Sequence, residues 1–142
     1  MELVTMEDVK HLIVELKKFV RISDPKGHST LTLIDGKIES GDFNFSPDKT
    51  QVNKDLTTGL SFATNMRKLK SIIKSKSRFY RDIDIYAVDE FVSLPSGLRF
   101  IKDRPGHASL VVTENMSTKD LIIKLEVVAK LLESIGTVRV KQ

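Results

Sequence analysis

Two of the three histidines in this chain lie in closely similar local sequences, which makes them the first candidates for chemistry. Residues 27–33 read GHSTLTL and residues 104–112 read RPGHASLVV, so each histidine is followed two residues later by a hydroxyl side chain. On a β-strand, residues two positions apart point to the same face. His28 and His107 are therefore each predicted to present an imidazole beside a hydroxyl group.

Such a pair of histidines fits acid–base chemistry on a phosphodiester. One imidazole would remove a proton and the other would donate one, while the hydroxyl groups hold the phosphate oxygens. The two motifs, 79 residues apart, resemble those of the two-histidine phosphoesterases, whose duplicated lobes carry one such motif each. This resemblance implies a metal-independent phosphodiesterase or ribonuclease that uses His28 and His107. The chain departs from that family because no convincing strand precedes its first predicted helix.

A longer stretch around His107 resembles a different family. Residues 94–126, LPSGLRFIKDRPGHASLVVTENMSTKDLIIKLE, run in the order Leu-Pro-x-Gly-Leu, strand, Asp, Pro-Gly-His, strand, Met-Ser, helix. This order resembles the C-terminal part of bacterial toxin domains of the ADP-ribosyltransferase-like class, including effectors injected through type VI secretion. Upstream, FVRISD at 19–24 and TTGLSFAT at 57–64 resemble the arginine-bearing strand and the Gly-Leu-Ser strand of those toxins. Together these segments contain 47 of the 142 residues, about a third of the chain.

The second resemblance implies a small toxin that uses NAD to modify a macromolecular target and is inhibited by a cognate antitoxin or immunity protein. Breaking the bond between nicotinamide and ribose passes through a cationic ribose. The site therefore needs an arginine on the diphosphate, hydroxyl groups on the ribose and a carboxylate near the acceptor. In these roles, Arg21 would bind the diphosphate and Ser61 would line the cleft. His107 would contact the ribose, the nicotinamide or the acceptor, since histidine titrates near neutral pH.

The carboxylate is the part of the toxin pattern that this chain matches least. Glu90 in VDEF and Glu114 in VVTEN are the candidate acids, but neither lies in a recognisable catalytic loop. Phe43 is a candidate to stack on the nicotinamide or a base, or else to anchor its loop to the body of the protein. A fold retained for binding, or for another poisoning reaction, therefore stays open beside ADP-ribosyl transfer.

The positive charge of the chain is concentrated in one segment. Of its 23 Lys and Arg residues, seven lie within Met66 to Arg81, MRKLKSIIKSKSRFYR, which contains no acid, so the rest of the chain has 16 bases against 19 acids. Such a segment attracts RNA or an acidic protein. The segment therefore supports a third interpretation, a non-enzymatic module that binds nucleic acid or protein. Alternatively, the segment is simply the solvent-exposed face of a helix.

The composition also excludes several classes of protein. Because the chain has no cysteine, it has no disulfide framework, no thiolate nucleophile and no cysteine-ligated zinc. Since it also has only three histidines, one of them (His11) on a predicted helix, no metal cofactor is expected. The apolar runs are short, and the first ten residues, MELVTMEDVK, carry acids where a signal peptide needs bases. We therefore expect no membrane contact and an action in the cytoplasm, either where the protein is made or after delivery into a target cell.

Apolar spacing and capping residues predict three helices in one domain over residues 1–142. The first follows Thr5 and extends to about residue 18, with a capping box formed with Asp8. The second begins after Asn65 and contains the basic segment. The third begins after Ser117 and is expected to end near Gly136.

Alternating patterns between these helices predict the strands. A hairpin closed by Asp35 and Gly36 is expected first, followed by a long loop over residues 40–58. Further strands are predicted at GLSFAT, DIDIYAV, LRFIKD, ASLVVT and TVRV. These elements predict an α+β fold with a twisted, mainly antiparallel sheet, and the toxin resemblance implies that it is ADP-ribosyltransferase-like.

Overall fold

A six-stranded antiparallel sheet runs through the residues that the computed structural model describes, which are 3–23, 33–34, 37–38, 43–78 and 81–139. In chain order the strands are β1 Lys18–Ser23, β2 Leu33–Ile34, β3 Lys37–Ile38, β4 Gln51–Val52, β5 Asp55–Ala63, β6 Asp82–Asp89, β7 Leu98–Arg104, β8 His107–Val112, β9 Met116–Ser117 and β10 Glu133–Arg139. The large sheet has the order β10-β6-β1-β5-β8-β7, while β2 pairs with β3 and β4 pairs with β9. The helices are α1 Met6–Lys10, which continues as a π-helix over His11–Glu15, α2 Met66–Lys76 and α3 Thr118–Leu131. The predicted α+β class, with three helices and a mainly antiparallel sheet, is confirmed.

All three predicted helix starts are confirmed by side-chain caps. The side-chain oxygens of Thr5, Asn65 and Ser117 each accept a hydrogen bond from the backbone N–H three residues further on, at 3.2, 2.8 and 3.1 Å. These caps satisfy amide groups that the first turn of a helix leaves without partners. The first helix ends earlier than expected, because Lys17 takes a left-handed conformation with φ of 55° and turns the chain into β1.

The sheet separates two hydrophobic cores. Along β8, Ala108 and Leu110 point to the face that α3 covers, whereas His107 and Ser109 point to the opposite face, on which α1 and α2 pack. We call these the α3 face and the α1/α2 face. The α3 core includes Phe19, Leu60, Phe62, Leu121, Leu125 and Val128, and the α1/α2 core includes Val9, Ile13, Val20, Leu69, Ile73 and Ile85. Because side chains alternate along a strand, the register of each strand decides which face its polar residues reach.

Three aromatic rings on the α3 face demonstrate the strong curvature of the sheet. Phe100 of β7 packs edge-on against Phe19 of β1, with ring centroids 5.1 Å apart, and against Phe62 of β5, at 5.0 Å. In a flat sheet, three strand spacings would separate β1 from β7 by roughly 14 Å. The sheet therefore curls around the α3 core and leaves its other face spread open near β5, β7 and β8.

Two expectations about loops and ends need correction. The predicted loop over residues 40–58 contains β4 and the start of β5, because Asp48 accepts hydrogen bonds from the Ser46 hydroxyl (2.8 Å) and the Thr50 amide (3.0 Å) and so forms a tight turn. Gly136 does not end α3. It lies within β10, where the register with β6 shifts, since pairing with β6 begins directly after the helix. The predicted hairpin is present as β2 and β3, while its two turn residues lie outside the described residues.

Candidate active site

The candidate site is a cleft of about 580 Å³ on the α1/α2 face, formed by residues of β5, β7 and β8. Polar side chains form much of its wall. The lining residues are Leu56, Thr57, Thr58, Gly59, Ser61, Asp103, Arg104, His107 and Ser109. Its volume is within the range of about 300–1,000 Å³ that is usual for small-ligand sites.

Irregular strand pairing on both sides shapes this cleft. Between Asp55 and Leu60, β5 contains three more residues than the facing part of β8, so the chain arches away from the sheet. Between Ile101 and Arg104, β7 contains one extra residue, which is a β-bulge. A bulge redirects side chains, and here it brings Asp103 and Arg104 to the same side of the sheet as the residues of β8 that line the cleft.

A partly buried hydrogen-bond network lies at the floor of the cleft. One carboxylate oxygen of Asp103 is 2.7 Å from Nδ1 of His107, and the other accepts a hydrogen bond from the Ser109 hydroxyl at 2.9 Å. His107 and Ser109 are each only 3% exposed, whereas the Asp103 side chain is 22% exposed. The aspartate therefore joins two neighbouring side chains of β8 and fixes the orientation of the imidazole ring.

The charge of Asp103 determines which nitrogen of His107 carries a proton. Burial raises the pKa of this carboxyl group, but the hydrogen bonds from His107 and Ser109 outweigh that effect, and the net result is a lowered pKa. The carboxyl group is thus ionised at neutral pH and only accepts hydrogen bonds, so Nδ1 of His107 must be the donor. In neutral His107, this arrangement leaves Nε2 as a proton acceptor. The pair has the geometry of a general base held by a carboxylate.

The lowered pKa of Asp103 also predicts how the stability of the protein depends on pH. The unfolded chain binds a proton near the reference value of 3.8, and the folded state binds it only at lower pH. Acid therefore favours unfolding, and the contribution of Asp103, complete above that value, is lost as the pH falls through the folded pKa. We expect the free energy of unfolding, measured with urea between about pH 5 and pH 2, to fall less steeply in Asp103→Asn than in the wild type. Equal slopes would contradict this assignment.

Two further polar groups of the cleft are available to a ligand. Ser61 lies directly opposite Ser109 in the β5–β8 ladder, is exposed, and its hydroxyl forms no hydrogen bond within the described part of the chain. Arg104 lies opposite His107 and forms no ion pair with any described residue. A hydroxyl donor and a guanidinium group therefore flank the imidazole without being engaged by neighbouring protein groups.

The turn that carries His107 is supported by the start of α2. Gly106 has a φ of 77°, and a Cβ at this position would lie 2.6 Å from the side-chain amide of Asn65, so glycine is required for both conformation and space. The amide of Thr64 donates a hydrogen bond to the Gly106 carbonyl at 2.8 Å. The Pro-Gly turn is thus held against the N-cap of the basic helix, which places the cleft and α2 side by side.

Arg21, the predicted diphosphate-binding residue, lies on the other side of the sheet. Its guanidinium group is 5.9 Å from the ring centroid of Phe62, a residue of the α3 core. It donates a hydrogen bond to the backbone carbonyl of Ser61 at 3.0 Å, whereas the Ser61 side chain points into the cleft. The two residues are therefore neighbours through the backbone, but the structure does not bring the Arg21 side chain to His107.

The other predicted site residues are dispersed as well. Glu90 forms an ion pair with Lys102, whose ammonium group lies over Phe19 on the α3 face. Glu114 follows β8 and lies 4.0 Å from Lys124. Phe43 is 7% exposed and packs in the α3 core. It therefore anchors its loop to the body of the protein, the second of the two roles expected for it. His28 lies outside the described residues. Of the proposed NAD-binding set, only Ser61 and His107 line one cleft.

Sequence reasoning assigned no role to Asp103 or Arg104. Both are visible in the sequence IKDRPGH, where an aspartate precedes the histidine by four residues across a Pro-Gly turn. In a regular two-residue hairpin, neighbouring positions on one strand point to opposite faces, so only the bulge allows both side chains to line the cleft.

Among the described residues, no cluster of three or more His, Asp or Glu side chains has an arrangement that could hold a metal ion. In the same part of the chain, no helix is both long enough and apolar enough to cross a membrane.

Comparison with known proteins gives no relative. No protein-family model matches the chain, and no match was found among curated proteins or among solved structures. The resemblance to the toxin class therefore rests on the sequence motifs quoted above.

Proposed function

We propose that this protein is an NAD-consuming enzyme of the ADP-ribosyltransferase-like toxin type, with its active site in the His107 cleft. The observation that carries the proposal is the partly buried Asp103–His107 hydrogen bond in a cleft that also contains Ser61. The sequence resemblance around Leu94 to Glu126 supports the choice of NAD. In the same proposal, the protein acts in the cytoplasm and is inhibited there by a protein partner.

The proposal assigns one role to each polar group of the cleft. Arg104, rather than Arg21, binds the diphosphate, since it is the guanidinium group next to His107. Ser61 donates a hydrogen bond to the ribose, and the oxygens of Thr57 and Thr58, whose hydroxyls already donate to Asp55, accept from the ribose hydroxyl groups. The cleft has a hydroxyl-rich lining and a volume of about 580 Å³. These properties fit a dinucleotide of which one nucleotide lies in the cleft.

In the reaction, the bond between the ribose carbon and nicotinamide breaks and nicotinamide leaves with the bonding electron pair. An oxygen or nitrogen of the acceptor forms the new bond to that carbon, and its proton passes to Nε2 of His107. Asp103 stabilises the imidazolium that results, because its carboxylate already accepts the hydrogen bond from Nδ1. Water as the acceptor would give hydrolysis of NAD at the same site.

The direct test is incubation of the purified protein with NAD labelled in the adenylate part, with and without a cell lysate, in the presence of EDTA. We expect loss of NAD, release of nicotinamide and transfer of label to a macromolecule, and arrest of growth when the protein is expressed. An unchanged NAD pool together with normal growth would overturn the proposal. Growth arrest without NAD loss would exclude NAD as the substrate. The His107 cleft could then be the active site only of the second candidate, a phosphodiesterase.

The second candidate is metal-independent cleavage of a phosphodiester, and the tautomer of His107 favours it, since Nε2 is the acceptor that such a reaction needs. Arg104 would then bind the phosphate, and His28 would act as the acid. Cleavage of RNA in EDTA, without NAD and with dependence on both histidines, would establish this reaction. Cleavage that is indifferent to His28→Ala would remove the two-histidine mechanism.

A further inference from the structure

The exposed side of α2 carries a line of basic residues. Arg67, Lys70 and Lys74 recur every three or four positions along the helix, Arg78 follows directly after the C-cap Ser77, and all four are exposed. Leu69 and Ile73 on the opposite side of α2 are buried. With a rise of about 1.5 Å per residue, the helical part of the line, from Arg67 to Lys74, extends for roughly 10 Å. We call these four residues the basic line.

The charges of this segment are not neutralised by any acid in the described part of the chain. Lys18, Lys102, Lys124 and Arg139 each form an ion pair with an acid elsewhere in the fold. By contrast, none of the seven bases from Met66 to Arg81 forms an ion pair with any described residue. An uncompensated row of this kind attracts an extended polyanion.

The composition of the surface favours a nucleic-acid backbone over an acidic protein. The exposed large apolar residues of the described chain are Leu3, Val14, Leu16, Leu56, Phe91, Ile123, Val127 and Leu131, and none of these belongs to α2. Stable protein interfaces contain an apolar or aromatic centre in which charged residues are depleted. Between the bases lie Ser71 and Ser75, both exposed, and serine, lysine and arginine are common donors to phosphate oxygens.

The N-terminal end of the basic line lies next to the turn that carries His107 of the cleft. Asn65, the N-cap of α2, packs over Gly106, which immediately precedes His107. Arg104 lies on the same turn and lines the cleft. We propose that the basic line binds the phosphate backbone of a nucleic-acid strand, and that this strand is the macromolecular target presented to His107. Only its role as the target rests on the function proposed above, because binding itself does not require catalysis.

The test measures fluorescence anisotropy of a labelled single-stranded RNA of about 20 nucleotides over a range of salt concentrations. The variant combines Lys70→Gln, Lys74→Gln and Arg78→Gln. If each base contacts one phosphate, removing three should lower the slope of log affinity against log salt by about 2 and weaken binding at least about 10-fold at low salt. A matched control combines Lys10→Gln, Lys119→Gln and Lys130→Gln, which are exposed and remove the same charge, and should bind like the wild type.

Equal loss of binding in both triple variants would overturn the proposal in favour of a general charge effect, and so would unchanged binding in the basic-line variant. Polyglutamate of the same length is the competing probe, and if it binds as tightly as RNA, the surface fits an acidic protein instead. RNA binding without NAD consumption would refute only the proposed function, and NAD consumption without RNA binding would refute only this inference.

Discussion

Replacing His107 by alanine is expected to lower the rate of NAD consumption by about 10²–10⁴-fold, the usual contribution of a positioned acid–base group. The ring is held by Asp103 at 2.7 Å, and alanine provides no group that could accept the proton in its place. The initial rate of nicotinamide release, measured at saturating NAD, provides the readout. His11→Ala is the matched control, because His11 is exposed on the first helix and should retain the wild-type rate.

A loss of stability must be separated from this loss of rate. Removing the imidazole deprives a partly buried carboxylate of a hydrogen bond, which costs about 1–3 kcal/mol. Thermal unfolding of the variant therefore accompanies the rate measurement, and His107→Gln provides a second variant that keeps a polar side chain without a titrating ring. If either variant is folded and consumes NAD at the wild-type rate, His107 is not the acid–base group.

Gly59→Ala is expected to produce the largest loss of stability of any single methyl addition in the cleft. A Cβ at residue 59 would lie 2.0 Å from the backbone oxygen of Leu110 and 3.1 Å from a methyl group of Val111. A backbone carbonyl of a central strand cannot rotate away as a flexible side chain can. The arch of β5 would have to separate from β8, at a cost of about 2–4 kcal/mol in the free energy of unfolding.

Urea denaturation checks this value, and Thr58→Ala is the control from the same arch. Thr58 is exposed, and its hydroxyl donates to Asp55 at 3.1 Å, so its removal should cost no more than about 1 kcal/mol. Because the arch forms one wall of the cleft, Gly59→Ala should also weaken ligand binding. Equal stability of the two variants would mean that β5 does not approach β8 as closely as described.

Local chemistry made several parts of this fold predictable. Asn65 caps α2 because its side chain reaches the third amide of the helix, and the inward position of Leu69 follows from helical spacing. The alternation in DIDIYAV correctly identifies β6, with Ile83 and Ile85 buried. The Pro-Gly turn delivers His107 to the first position of β8. In each case the deciding interactions connect residues only a few positions apart.

The composition of the site was not predictable in the same way, because it depends on pairing between distant segments. A shift of one residue in register moves a side chain to the other face of a sheet. Ser61 lies on a predicted strand and Arg21 on one that only the toxin resemblance implies, and the pairing of β1 with β5 directs one side chain to each face. The bulge in β7 has no distinctive sequence signature, and therefore Asp103 received no role before its contact with His107 was known.

Gly136 illustrates a local signal that a longer-range interaction overrides. A glycine four residues after an apolar helical pattern is typical of a helix end. Here α3 ends at Leu131, since the following residues pair with β6. Gly136, with a φ of 144°, lies instead at the position in β10 where the register with β6 shifts.

The most direct test of the proposed site is the effect of Asp103→Asn on kcat for NAD, measured beside the exposed control Asp89→Asn. An asparagine amide can donate to Nδ1 and so shift the imidazole proton to Nε2, which removes the base without removing the ring. We expect kcat to fall by about 10²-fold or more, with a KM for NAD within about threefold of the wild-type value and with a folded protein. A wild-type kcat in Asp103→Asn, or a wild-type protein that leaves NAD intact, would contradict the assignment of an Asp103-oriented His107 as the catalytic group.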